Sequence, residues 1–307
     1  MKKHPIAITI RSFGLNLKNQ KELQKTCSLR YINTTGNRLT GPELSEILKG
    51  IEGVIAGTEP FSRQVIESAT DLRVISRVGV GLDSIDLDAA KERGIAVKNT
   101  PDAPVQAVAE HTLALILDLL KKITAYNTNI HRGDFHVETG RMLAGKRVGI
   151  IGLGRIGTRV ATLASALGCT IAYYDPFRMT GLSETWQACS SMEQLLETSD
   201  IVTLHMTPHK SEKPLLDTES LSLIKNGAVV INTARGSLID EPALIHALSS
   251  GRIAGAGLDV FSHEPYSGRL LEFPQVVMTP HVASNTDESR QQMEIEAVNN
   301  IITAFEE

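Results

Sequence analysis

A strand that breaks on spaced glycines and restarts as a helix leaves a chain few ways to fold, and residues 146–175 spell that unit. Lys146-Arg147-Val148-Gly149-Ile150-Ile151 reads as a short buried strand. Gly152-Leu153-Gly154-Arg155-Ile156-Gly157 breaks it and opens an amphipathic stretch that runs to Leu167-Gly168. A second apolar run, Thr170 to Tyr174, ends at Asp175. In a G-x-G-x-x-G pattern between strand and helix, Gly152 makes the tight turn, Gly154 admits a pyrophosphate to the backbone, and Gly157 allows close helix packing. The pyrophosphate would sit on free N–H groups at the helix N-terminus. Glycines alone make an ordinary turn. The strand before, the helix after and an acid twenty-three residues beyond Gly152 point to a dinucleotide, with Asp175 on its ribose.

The rest of the chain repeats this alternation. Ile6–Ile10, Leu29–Ile32, Val54–Ala56, Val74–Ser76 and Ile95–Val97 are short β-branched runs, with helix candidates near Asn16–Thr26, Pro42–Gly50, Ser62–Ser68 and Leu87–Arg93 between them. That order predicts a parallel sheet with crossover helices. Ligands of such sheets meet the loops after the strand C-termini, so Arg11-Ser12-Phe13, Gly57-Thr58 and Arg77-Val78-Gly79-Val80-Gly81 are expected to face one cleft. After the turn-rich Asn99 to Pro104, Val105 to about Tyr126 reads as one long helix entering a second domain. Glu110 and His111 on that helix read as satisfied or solvated side chains. A polar loop with His131, Gly133, His136 and Gly140 leads back to Lys146.

Beyond Asp175 the pattern continues: a helix at Ser191–Glu197, a strand Asp200–His205, a helix Thr218–Ile224, a strand Ala228–Asn232, a helix Glu241–Ser249, and strands Ala254–Val260 and Val276–Met278. A helical stretch from Thr286 to Phe305 is expected to pack back on the first domain. At 307 residues the length suits two domains. A net charge of −4 gives no basic footprint for nucleic acid. The three cysteines, Cys27, Cys169 and Cys189, are odd in number and far apart, so neither a disulfide framework nor a metal site is written here, and a cytoplasmic compartment is the default. The basic start Met1-Lys2-Lys3 is followed by too short an apolar stretch for a signal peptide, and Leu113–Leu120, interrupted by Asp118, cannot span a membrane.

Three polar residues stand past the ends of successive second-domain strands: Arg235, Glu264 and His281. Hydride transfer at a carbinol carbon needs a group that takes or returns the hydroxyl proton, and His suits this near neutral pH. A carboxylate bonded to the imidazole would fix its tautomer and favour its cation. A guanidinium can bind a substrate carboxylate with two fixed donors and polarise the adjacent carbonyl. The set supplies what oxidation of a 2-hydroxy acid requires.

Arg77 to Asp86 (Arg-Val-Gly-Val-Gly-Leu-Asp-Ser-Ile-Asp), Gly152 to Gly157, Ile231 to Gly236 (Ile-Asn-Thr-Ala-Arg-Gly), Gly257 to Val260, Glu264-Pro265 and Thr279-Pro280-His281 resemble the NAD-dependent D-2-hydroxyacid dehydrogenase family, most closely its D-3-phosphoglycerate dehydrogenase branch. The likeness covers essentially the whole chain. It implies an α/β fold of two Rossmann-like domains, parallel sheets with helices on both faces. The outer, flavodoxin-like substrate domain would comprise residues 1–100 plus 284–307, and the NAD-binding domain residues 101–283. It implies NAD as cofactor, a small 2-hydroxy or 2-keto acid as substrate, and a homodimer. By resemblance His281 is the acid/base, Glu264 its partner and Arg235 the substrate-binding electrophile. Arg155, Ile156, Asp175, Thr233, Ala234 and Asp259 match cofactor-contacting positions, joined by the loop His205-Met206-Thr207-Pro208. Val78-Gly79 matches a carboxylate-binding loop beside Arg77.

The chain departs from the family where an aromatic-x-basic pattern reads Phe135-His136-Val137, and it leaves no room for a regulatory C-terminal domain. Asp175 favours NAD over NADP, with Arg178 close in sequence. Overall likeness favours 3-phosphoglycerate/phosphohydroxypyruvate as the substrate pair, with Arg11 and Arg77 as candidate phosphate cations. An unphosphorylated acid of the glyoxylate, hydroxypyruvate or lactate type is the alternative, because Glu59 would repel a phosphate if it points inward and Arg77 could merely brace its glycine turn. A nucleotide-sensing corepressor-like scaffold is the non-enzymatic reading. A formate dehydrogenase would carry an amide where Glu264 stands.

Overall fold

The computed structural model describes residues 3–14, 17–177, 182–207 and 213–306, with backbone alone at 17–20. Asn16, Arg178 and Pro208, which figure in the sequence expectations, lie outside the described residues. The chain divides into two compact units, Met1–Pro104 with Asn285–Glu307, and Val105–Ser284.

The first unit alternates β1 (His4–Ile8), α1 (Leu17–Thr26), β2 (Cys27–Ile32), α2 (Gly41–Ile47), β3 (Gly53–Ala56), α3 (Arg63–Ser68), β4 (Val74–Arg77), α4 (Leu87–Glu92) and β5 (Ala96–Lys98). The strands pair in parallel in the order β2-β1-β3-β4-β5. Val54, Ile55 and Ala56 have no exposed surface, as a strand covered on both faces requires. Side-chain caps stop the helices from unravelling at their starts: Ser62 accepts from the Val65 N–H at 3.4 Å and Asp86 from the Ala89 N–H at 2.9 Å. Leu44, Val65, Ile66 and Ala89 cover one face of the sheet over Val54, Ile75 and Phe61.

The second unit opens with α5 (Val105–Lys121) and α6 (Ile123–His131). There follow β6 (Arg147–Ile151), α7 (Arg155–Ala166), β7 (Thr170–Tyr174), β8 (Gln187–Ala188), α8 (Met192–Thr198), β9 (Ile201–Leu204), α9 (Thr218–Leu223), β10 (Ala228–Asn232), α10 (Glu241–Ser249), β11 (Ile253–Leu258) and β12 (Val276–Met278), with 3-10 turns at Gly236–Leu238 and Arg269–Glu272. Seven parallel strands run in the order β12-β11-β10-β9-β6-β7-β8. The chain order reverses at β6, which pairs β7 on one side and β9 on the other, and such a switch point is where open sheets bind ligands.

The last helix, α11 (Asp287–Glu306), returns to the first unit. Ala297, Val298 and Ile301 pack on Ile6, Ile8, Ile55 and Val74, the sheet face that α2 to α4 leave open. Burying each large apolar side chain there contributes roughly 1.5–3 kcal/mol. The Ser76 hydroxyl donates to the Ala297 carbonyl at 3.0 Å, and Asn300 Nδ2 to the Asn99 carbonyl at 3.0 Å.

One long helix from Val105 to Tyr126 is not what forms. Lys122 adopts φ +57°, and the chain restarts as α6. Asp118 makes the break stable, its carboxylate accepting from both the N–H and the hydroxyl of Thr124. The Leu120 carbonyl turns to the Arg141 N–H at 2.8 Å, an acceptor a continuous helix would have used internally. The first strand also begins earlier than its β-branched run, because His4 and Pro5 already pair with Cys27 and Ser28. The eleventh runs Ile253–Leu258 rather than Ala254–Val260: its partner β10 ends at Asn232, whose carbonyl takes the Asp259 N–H at 3.0 Å as the last bond of the ladder. Cys27, Cys169 and Cys189 are buried free thiols. Among the described residues no helix is long and apolar enough to cross a membrane.

Candidate active site

The glycine loop joins β6 to α7 at the switch point. Gly152 has φ +91°, and a Cβ there would stand 2.5 Å from Met206 Cγ and 2.8 Å from the His205 carbonyl. A Cβ at Gly157 would collide with the Gly152 carbonyl oxygen, so the first turn of α7 can pack on the loop only without one. Gly154 faces open space: nothing lies within 4 Å of its notional Cβ. It caps α7 with no side-chain hydrogen bond, and the first intrahelical bond is the Thr158 N–H to the Gly154 carbonyl at 2.9 Å. The preceding amides of Arg155, Ile156 and Gly157 are the helix-end donors on which an anion rests. Asp175 accepts from the Leu153 N–H at 2.6 Å through Oδ2 and from the Phe177 N–H at 2.8 Å through Oδ1, which pins loop and strand end together. A glycine cradle under an uncapped helix, edged by a carboxylate with lone pairs to spare, fits a dinucleotide.

From there the sheet edge can be followed strand by strand. After β9, His205 bonds Thr203 Oγ1 through Nε2 at 2.9 Å. Burial pushes its imidazole down to about 3, so it is neutral at physiological pH and offers polarity without charge. Met206 lies against the Gly152 turn, and Thr207 is exposed. After β10, the buried Asn232 closes the next turn: its Oδ1 accepts from the Ala234 N–H at 3.0 Å and its Nδ2 donates to the Arg235 carbonyl at 2.8 Å. Thr233 is held to α5 through Thr112 at 3.0 Å, and Arg235 Nη1 donates to the Ala234 carbonyl at 2.7 Å.

Glu264 follows β11 and His281 follows β12, and these two meet: His281 Nδ1 lies 2.9 Å from Glu264 Oε2. Glu264 Oε1 accepts from the Phe261 N–H at 3.1 Å. A carboxylate that accepts on both oxygens leaves Nδ1 as the donor, so Nε2 is the ring atom left to act on a ligand. Both side chains are about half exposed, at 50 % for His281 and 38 % for Glu264. Tyr266 steadies this loop by stacking on Phe261, ring centroids 4.4 Å apart, and donating its hydroxyl to Glu241 Oε1 at 2.8 Å.

Four residues support the site in ways the sequence does not announce. Asp259, matched above to a cofactor contact, has no exposed surface, and its carboxylate is engaged by the Thr279 hydroxyl and the amides of Val282 and Ala283. His111 and Thr279 join that cluster, and Asn232 read only as the last residue of a strand. A polar residue in a buried network and a merely solvated one are the same letter in a sequence.

The first unit carries the residues matched to substrate. Gly79 has φ +126°, and its N–H donates to Thr100 Oγ1 at 2.7 Å; the Val78 N–H donates to the Ala56 carbonyl at 2.8 Å. Both amides of the expected carboxylate loop are thus engaged within the unit. Arg77 folds over this turn, with Nη1 occupying the place where a Gly79 Cβ would stand. Glu59 points inward, 1 % exposed, with Oε2 accepting from the Gly57 N–H at 2.6 Å. Burial raises its carboxyl above the usual range, against the pull of its backbone bonds and of Arg38 and Arg77.

Comparison with known proteins identifies the family. Residues 113–283 match the family described as D-isomer specific 2-hydroxyacid dehydrogenase, NAD binding domain. A D-3-phosphoglycerate dehydrogenase of Methanocaldococcus jannaschii is 39 % identical over 82 % of this chain, which spans about half, 49 %, of that relative's length. A hydroxypyruvate reductase of Thermotoga maritima is 35 % identical over 88 % of this chain and 90 % of its own. The crystal structure of a glyoxylate reductase from Paecilomyes thermophila superposes with a TM-score of 0.91 at 30 % identity, covering 100 % of this chain and 97 % of that one. Fold and sequence agree, and the chain belongs to the D-isomer specific 2-hydroxyacid dehydrogenases.

Proposed function

We propose that the chain is an NAD(H)-dependent oxidoreductase acting at carbon 2 of a small D-2-hydroxy acid or its 2-keto acid. The observation that carries this reading is the 2.9 Å pairing of His281 Nδ1 with Glu264, on the same sheet edge as the glycine loop. The amides of Arg155, Ile156 and Gly157 would hold the pyrophosphate and Asp175 the adenosine ribose hydroxyls, where a 2′-phosphate would meet its negative charge. When bound, the nicotinamide supplies or accepts the hydride. His281 Nε2 gives its proton to the keto oxygen in reduction and takes the hydroxyl proton in oxidation. Glu264 holds the ring in the tautomer that leaves Nε2 outward. Arg235 grips the substrate carboxylate with its planar fork and draws charge from the adjacent carbonyl.

For the substrate, the buried Glu59 favours an unphosphorylated acid such as hydroxypyruvate or glyoxylate. Glu59 lies buried behind Gly57, and Arg77 folds over the Gly79 turn, so that cation already braces its own loop. The name of the Thermotoga relative, matched over nearly its whole length, points the same way. Phosphohydroxypyruvate remains the second reading, supported by the 39 % identity to a D-3-phosphoglycerate dehydrogenase. Residues 123–142 expose Ile123, Ile130, Phe135, Val137 and Met142, an apolar run suited to a second copy of the chain.

NADH consumption by the purified protein across hydroxypyruvate, glyoxylate, pyruvate and phosphohydroxypyruvate tests the reading. Hydroxypyruvate or glyoxylate should give the highest kcat/KM, with NADH preferred to NADPH. His281→Asn should lower kcat by about 10²–10⁴-fold with NADH affinity kept. No turnover with any 2-keto acid, or an active His281→Asn variant, refutes it.

A further inference from the structure

His281 is held in a conformation that residues with a side chain avoid. Its φ of +55° lies in the left-handed region, which persists for such a residue only where the surroundings over-determine it. The turn closes through the His281 N–H to the Thr279 carbonyl at 3.0 Å. Asp259, fully buried, takes the next two amides, Val282 at 2.8 Å and Ala283 at 2.9 Å, and the Thr279 hydroxyl at 2.6 Å. One carboxylate thus grips the chain on both sides of His281. The last member comes from 168 residues away: His111, on α5, places Nε2 2.9 Å from Thr279 Oγ1 and 3.6 Å from Asp259 Oδ1.

The protons can be assigned by elimination. Thr279 has one hydroxyl hydrogen, and at 2.6 Å it goes to the carboxylate, which accepts on both oxygens. The hydroxyl can then only accept from His111, so Nε2 of His111 carries a hydrogen. Donors run one way, from His111 to Thr279 to Asp259, and each bond polarises the next. Without the imidazole the hydroxyl loses its donor, and its own bond to Asp259 is all that still fixes the Thr279 side chain before His281.

We infer that His111 is a positioning residue for the reaction, its Nε2–H keeping the Thr279 hydroxyl turned onto Asp259 and so holding the left-handed turn that presents His281 to Glu264 and to substrate. This rests on His281 being the acid/base, as proposed above. Misaiming that imidazole by a fraction of an ångström slows proton transfer and leaves dinucleotide binding alone, because the glycine loop follows another strand.

The test measures kcat per NADH-binding site, so that unfolded protein does not count, together with KM for the keto acid and Kd for NADH. His111→Leu should lower kcat roughly tenfold with NADH Kd within about twofold of wild type. His111→Gln, whose amide can donate to the same hydroxyl, should regain most of the loss. Thr279→Val, which loses the bond to Asp259 as well, should fall at least as far as His111→Leu, and the double variant should be no worse than Thr279→Val, as expected for two members of one contact. Should His111→Leu fail to fold, His111→Asn, whose amide is one methylene too short to reach the hydroxyl, falling well below His111→Gln reads the same bond. The inference is overturned if kcat per site in His111→Leu stays near wild type, if His111→Gln is equally impaired, or if the two losses multiply. His281→Asn run alongside separates the cases: if it is active, the acid/base reading has failed and takes this inference with it; if it is dead while His111→Leu is unimpaired, the inference alone has failed.

Discussion

Glu59 is the residue whose charge and surroundings disagree most. Its carboxyl is 1 % exposed, and burial raises it above the usual range. A carboxyl that binds its proton more tightly folded than unfolded withdraws stability as pH climbs past the unfolded value of about 4.3, and goes on doing so up to the folded value. Glu59→Gln cannot ionise and escapes that loss. The Tm difference, variant minus wild type, should therefore be more positive at pH 7 than at pH 4. A difference that shrinks with rising pH would mean that Arg38, Arg77 and the Gly57 amide outweigh the burial.

Helices and strands were legible where periodicity and boundaries coincided. β10 and α10 begin and end where an apolar run and a capping acid put them, with Asp240 accepting from the Ala243 N–H at 2.9 Å. The break between α5 and α6 was not legible, since no glycine or proline marks it and Lys122 supplies the left-handed residue. What makes it is a bond six residues long, Asp118 to the Thr124 N–H at 2.7 Å, a spacing that helix periodicity does not scan. β8, two residues at the sheet edge, is too short for any period to show. The loops bearing Arg235, Glu264 and His281 could be placed because each follows an apolar run, whereas His111 and Thr279 act through contacts between residues far apart in sequence, and Asn232 closes its turn through side-chain bonds to residues 234 and 235 that no hydrophobic period reports. Asp118→Ala should cost about 1 kcal/mol, as losing a helix cap does, and fray α6 first. Urea melts would read the loss, and amide exchange confined to residues 123–131 would locate it; an unchanged midpoint would show the break to be held elsewhere.

At the scale of the whole molecule, Phe135 and Val137 are 78 % and 82 % exposed, more than any other large apolar residue among those described. If a second copy covers them, Phe135→Glu with Val137→Glu should halve the mass seen by light scattering while leaving the far-ultraviolet circular dichroism intact. A wild-type monomer at tens of micromolar would refute the homodimer. The return of α11 has a consequence of another kind, for the order in which the protein is made. The sheet of the first unit leaves the ribosome early, but the helix that covers Ile6, Ile8, Ile55 and Val74 is synthesised only after the whole second unit. Val105–Ser284 emerges in between, roughly 10–35 s of elongation at ordinary rates. Throughout that interval the second unit can close its own sheet, while the first waits with one apolar face covered only in part, by Leu23 of α1. The unit begun first is thus finished last, and a ribosome stalled near Ser284 would release a chain half folded and half sticky.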